Sequence, residues 1–184
     1  MEVFFVYNIF IMAIDSEELL LVVDKFDQPT GISKRSALRE DPDKWFRIAI
    51  VLVTSGDKIL CHKRASGVDV NPSLWTMPFG GHANPGESPT DTARKELVEE
   101  SGIAAEAQEL DLVMVYPDRN DRKIKWIFSI EVAQDSELKL EEEEVEEVKW
   151  YTQAELTEVY NNKDLGWTHS GYEQAVLSFL LDNR

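Results

Sequence analysis

The sequence predicts an α/β layered domain on three observations. Residues 45–54 and 58–63 are β-rich runs around Ser55-Gly56-Asp57, the pattern of a β-hairpin. Residues 123–132 alternate, with Ile124, Trp126, Phe128, Ile130 and Val132 on one face and Lys123, Lys125, Ile127 and Ser129 on the other. Between these strands lies a helix with both ends marked. Ser88 is a good N-cap, Pro89 occupies the first helical position, Asp91 completes a short capping box, and Gly102 ends the helix.

The remaining elements follow in chain order. Residues 18–24 form an aliphatic strand, and Asp27, Pro29 and Gly31 read as the turn after it. Residues 34–44, interrupted by Pro42, are a loop or short helix. After the hairpin, 66–73 is a polar loop and 74–77 a short apolar segment. Gly80, Gly81, Asn84, Pro85 and Gly86 read as a loop leading into the helix. Residues 110–116 form a strand and 117–121 a turn. The acidic run 141–147 leads into a strand over 147–151. Thr152 with Glu155 is a capping box for a helix to about Tyr160. A last helix starts near Ser170, with Tyr172, Ala175, Val176, Phe179 and Leu180 on one face.

At 184 residues the chain suits a single domain, expected over 17–184 behind an apolar extension, 1–16. The apolar run 3–14 is shorter than the roughly 20 residues of a membrane span, and Glu2 replaces the basic start of a signal peptide. It reads as a core strand or as an upstream mis-start, with Met12 the alternative start. No membrane association is expected. A formal charge of −16 argues against nucleic-acid binding, and any phosphate ligand would need help from cations. Cys61 is the single cysteine, so there is neither an intramolecular disulfide nor a Cys-based zinc site, and a reducing cytoplasm is the expected setting. The sequence leaves a homodimer open.

Glu96, Glu99 and Glu100 are spaced i, i+3, i+4, which sets three carboxylates on one helix face. A hard divalent cation gives such a cluster a purpose; a solvated acidic face is the other reading, and spacing alone does not choose.

Residues 81–103 resemble the Nudix box, G-x5-E-x7-R-E-U-x-E-E-x-G-U with U a bulky aliphatic. Gly81, Glu87, Glu96, Leu97, Glu99, Glu100, Gly102 and Ile103 match, and Lys95 stands in place of Arg. Lys keeps the charge but lacks the planar fork of Arg. The resemblance implies an α/β/α sandwich with a mixed sheet, and metal binding by Mg²⁺ or Mn²⁺ at Gly81, Glu96, Glu99 and Glu100. It implies a more peripheral role for Glu87 and catalytic roles for Glu99, Glu100 and Lys95. Members of the family often add an acid before a later strand, and Glu144, six residues before Trp150, is the candidate. Lys123 and Lys125 would face a small-molecule diphosphate substrate, or else guard an exposed edge strand. His82 is either a ligand or a loop hydrogen-bonder. Trp75, Trp126 and Trp150 are expected in the core.

Leu21-Val22-Val23-Asp24, Gly31, Arg35, Trp45, Leu74-Trp75 and Gly81-His82 resemble the branch that contains isopentenyl diphosphate isomerase. That enzyme's catalytic Cys falls at Gly80, two of its His at Arg39 and Phe46, and its paired Glu at Lys123 and Lys125. Protonating an alkene needs a positioned acid with a conjugate partner. The expectation is therefore metal-dependent hydrolysis of a diphosphate linkage in a nucleoside diphosphate-type or other organic substrate. The alternatives are an isomerase-like enzyme and a catalytically weak module that binds a nucleotide or partner.

Overall fold

A computed structural model describes residues 18–39, 41 and 43–182. The apolar extension, 1–16, lies outside the described residues. Strand β3 (Trp45–Ser55) is the spine, with apolar side chains on both faces. Ala49, Val51 and Val53 enter one core, and Ile48, Ile50 and Leu52 enter another. A strand buried on both faces requires a covering layer on each side. Helix α1 (Pro89–Ser101) covers the first with Ala93 and Leu97. Helices α2 (Gln153–Asn162) and α3 (Gly171–Asp182) cover the second with Leu156, Tyr160, Val176 and Leu177. The result is the α/β/α sandwich expected from the sequence.

The remaining strands are β1 (Leu19–Val23), β2 (Pro29–Lys34), β4 (Lys58–Arg64), β5 (Trp75–Thr76), β6 (Phe79–His82), β7 (Asp111–Asp118), β8 (Lys123–Glu131) and β9 (Val145–Thr152). Along one edge β3 pairs in parallel with β8, from Phe46↔Lys123 to Thr54↔Glu131, and β7 adds antiparallel to β8. Along the other edge three strands share β3: β1 at Trp45 and Phe46, β6 from Ile48 to Val51, and β4 at Thr54 and Ser55. The hairpin predicted from 45–63 is therefore joined at its tip only. Beyond the tip β4 leaves β3 and pairs with β9 and β5.

The two caps are as the sequence indicated. Ser88 Oγ accepts from the Asp91 N–H at 3.1 Å, and the Asp91 carboxylate accepts from the Ser88 N–H at 3.2 Å. Gly102 closes α1 in the left-handed conformation, φ 75°. Thr152 and Glu155 form the same box on α2.

Four local expectations are corrected. Gly80 and Gly81 lie in strand β6, because the backbone of β3 offers them a ladder that glycine content does not reveal. Pro29 and Gly31 lie in β2; the turn precedes them, tied by the Asp24 carboxylate accepting from the N–H groups of Phe26 and Gln28. Pro117 extends β7, an edge strand that tolerates a missing donor, and the turn follows Asp118. Phe179 is 37% exposed, and Leu177 takes the core position on α3. The three tryptophans expected in the core are partly buried against the two main clusters.

Candidate active site

A cleft of about 720 Å³ lies where α1, β6, the Ile48/Ile50 face of β3, β8 and the start of α3 meet. Its lining includes Gly81, Lys95, Glu96, Glu99, Glu100, Lys123, Lys125 and Glu144, the residues singled out above for metal, catalysis and substrate. Glu87 is not in the lining. Its carboxylate accepts from the Asn84 N–H (2.9 Å), Asn84 Nδ2 (3.2 Å) and Thr92 Oγ1 (2.9 Å), and it ties the entry loop to α1. Burial raises its pKa, but these hydrogen bonds and Lys95 outweigh that and lower it.

The acidic pole is built on α1 and β6. Glu100 is buried, and its Oε2 accepts from the Gly80 N–H at 2.9 Å. Burial pushes its carboxyl well above the ordinary range, and Glu96 and Glu144 push it further. Burial likewise raises Glu96 to about 7, although Lys95 opposes the shift. Lys95 Nζ stands 3.0 Å from Glu96 Oε1 and 3.7 Å from Glu87 Oε1. Burial disfavours its charge, yet Glu96, Glu87 and Glu99 prevail and its pKa is raised. A Cβ on Gly81 would meet Glu96 Oε2 at 2.5 Å, so glycine leaves that carboxylate its room. Gly80 has φ +151°, and a Cβ there would run into the Ala49 carbonyl and lie 2.7 Å from Ile50 Cα.

The other pole is basic. Lys123 lines it, its pKa lowered by burial against the pull of Asp121. Lys125 is buried, 2.8 Å from Asp118 Oδ2, with its ammonium 3.9 Å from the centroid of the Tyr172 ring. Strand β8 runs between β3 and β7, so neither lysine guards a sheet edge. His82 sits in β6, not in a loop. Burial takes its ring down to about 3, helped by Lys123, Arg35 and Lys95, and its Nε2 has no hydrogen-bond partner among the described residues.

Of the acidic run, Glu141 and Glu144 enter the lining, while Glu146 pairs with Lys63 at 2.6 Å outside it. Sequence reasoning missed Glu141, Glu18, Arg35, Arg64, Thr168 and Ser170. Glu141 carried a signal, three residues before Glu144 in the same run. The others arrive from separate elements with no local mark.

Among the described residues, no three His, Cys, Asp or Glu side chains are drawn together around one point. The donor chemistry nonetheless fits a hard cation. It is all oxygen, it is partly desolvated, and its carboxyls stay raised even though Lys95 pairs with Glu96.

A NUDIX domain model matches residues 44–171, and the chain belongs to that family. It is 30% identical over 156 residues to an uncharacterized Nudix hydrolase of Rhodococcus erythropolis, covering 77% of this chain and 80% of that one. It is 31% identical over 103 residues to an isopentenyl-diphosphate Delta-isomerase of Burkholderia multivorans, covering 56% and 58%. In fold it resembles a crystallised protein of Deinococcus radiodurans, with a TM-score of 0.68 at 17% identity over 91% of this chain and 100% of that one. Among the described residues, no helix is long and apolar enough to cross a membrane.

Proposed function

We propose that this Nudix-family protein is a cytoplasmic hydrolase that cleaves the diphosphate linkage of a small organic substrate with Mg²⁺ or Mn²⁺. The observation that carries the reading is the pair of half-buried Glu96 and buried Glu100, whose carboxyls sit above their ordinary range in a cleft that also holds Lys123. Carboxyls raised by burial beside a basic pole suit an anionic substrate that arrives with a divalent cation.

Glu96, Glu99, Glu100 and the Gly81 backbone would hold that cation. Bound there, it supplies Lewis-acid polarisation of the diphosphate and of water. The Gly80 N–H fixes Glu100, and Lys95 holds Glu96 against the β6 edge. Glu99 or Glu144, both in the cleft lining, would take a proton from the attacking water. Lys123 would meet the phosphates, and Lys125, held by Asp118, adds field more than contact. The single domain is taken to span 17–184.

Two features weigh against an isomerase. The position of the isomerase Cys is Gly80, where no Cβ fits, and lysines stand where its paired Glu would be. The test is a diphosphate panel with and without Mg²⁺, scored for phosphate and monophosphate release, with NMR for allylic isomerisation. Metal-dependent release is expected. No turnover of any substrate returns the protein to a binding role, and allylic isomerisation overturns the class.

A further inference from the structure

Glu173, on the first turn of α3, is fully buried. Four donors converge on its carboxylate. Oε1 accepts from Thr76 Oγ1 at 3.0 Å and Thr168 Oγ1 at 2.5 Å; Oε2 accepts from the Ser170 N–H at 3.0 Å and Ser170 Oγ at 2.8 Å. The Oε2 bonds are one half of a helix cap, which needs Ser170 alone. Oε1 has no part in the cap, yet it gathers two hydroxyls, one from β5 and one from the segment before α3.

Thr76, Thr168 and Ser170 all line the active-site cleft. A hydroxyl has one proton and two lone pairs. Each of these three spends its proton inward. Thr168 has a second inward acceptor, the Trp75 carbonyl at 3.3 Å, so its proton points away from the cleft whichever it chooses. The Tyr172 phenol lies beside Ser170 and Thr76 and has a single proton, so it can occupy no more than one of the remaining lone pairs. What these three hydroxyls leave for a ligand is acceptors.

Resting on the hydrolase reading above, we propose that Glu173 is a specificity-positioning residue: it fixes Thr76, Thr168 and Ser170 as acceptors, so that the cleft selects diphosphates whose organic group offers hydrogen-bond donors, such as sugar hydroxyls, over prenyl diphosphates. A site that hydrogen-bonds a substrate group discriminates sharply against an analogue lacking it, because its own polar groups are then left unpaired.

The test compares a nucleotide sugar with dimethylallyl diphosphate, taking the ratio of kcat/KM. In Glu173→Gln the Ser170 N–H keeps the amide oxygen at the Oε2 place, so the amide nitrogen takes the Oε1 place, donates to Thr76 Oγ1 and turns that hydroxyl's proton toward the cleft. The ratio is expected to fall at least roughly tenfold in favour of the prenyl substrate, chiefly through KM for the sugar. Loss of packing alone would lower both substrates together and leave the ratio fixed. If Glu173→Gln does not fold, Thr168→Val removes one acceptor while keeping the shape, and the same fall is expected. A wild-type preference for the prenyl substrate, or a ratio unchanged in the folded variant, overturns this inference alone. Failure of the wild-type protein to turn over any diphosphate overturns the hydrolase reading instead.

Discussion

Gly81 and Glu96 fit each other: a Cβ on the glycine would stand 2.5 Å from the carboxylate, so the Glu96 side chain fills the space that glycine leaves between β6 and α1. The clash is with the far end of a flexible side chain, not with backbone. Gly81→Ala should therefore turn Glu96 aside and leave the sheet intact. We expect kcat to fall roughly 10²-fold, the scale of a misplacement of about 1 Å, with the melting temperature moved only a few degrees. Full activity in a folded Gly81→Ala protein would show that the position of Glu96 is immaterial.

Gly80 is different, because its obstruction is backbone. With φ +151° and the Ala49 carbonyl in the way, any Cβ forces β6 off β3. Gly80→Cys, which restores the isomerase residue, should cost about 3 kcal/mol or more. It should also yield no allylic isomerisation. A urea midpoint equal to wild type would refute the steric argument.

Glu96 links stability to pH. Its folded pKa, about 7, lies above the ordinary 4.5 mainly through burial. A raised carboxyl contributes stability below the unfolded pKa, and that contribution is lost as pH climbs through the folded one. The metal-free protein should thus weaken between about pH 4.5 and 7. Glu96→Gln should reduce that slope, leaving the part due to Glu100, and stabilise the metal-free protein at pH 8 by on the order of 2 kcal/mol, allowing for the lost Lys95 contact. The same variant should bind Mg²⁺ more weakly. Denaturant titrations at pH 5 and pH 8 check the sign; a variant less stable than wild type at pH 8 would contradict it.

The two cleft lysines should separate in kinetics. Lys123→Ala should raise KM for a diphosphate several-fold, less so in high salt, because screening weakens a charge at the cleft. Lys125→Ala leaves half-buried Asp118 without its cation and should cost about 2 kcal/mol of stability, less than breaking a fully buried pair. If Lys123→Ala leaves KM unchanged at low salt, the lysine does not meet the phosphates.

The parts legible in the sequence were those whose cause is local. Ser88, Asp91 and Gly102 mark the ends of α1 because capping acts within one turn, and β8 was visible because alternation is a property of the strand itself. Gly80 and Gly81 were misread because their strand exists only through β3, some 30 residues earlier in the chain. Glu18, Arg35, Thr168 and Ser170 come to the cleft from opposite ends of the chain. Their identities carry no sign of that meeting. Lys125 was seen as a cleft residue but not as the partner of Asp118, since that pairing depends on the antiparallel register of β7 and β8.

The parallel pairing of β3 with β8 bears on how the chain reaches this fold. During synthesis β3, β4 and α1 all emerge before β8, yet β3 has no neighbour along that whole edge until Lys123 to Glu131 appear. Its unpaired edge, and the Ile48/Ile50/Leu52 face that α2 and α3 cover, stay open meanwhile. Long-range parallel pairing is slow, because loop closure is opposed by entropy before contacts form. A ribosome-bound chain ending before β8 should therefore be a client for chaperones, and the nascent protein is most exposed to aggregation just before its central ladder closes.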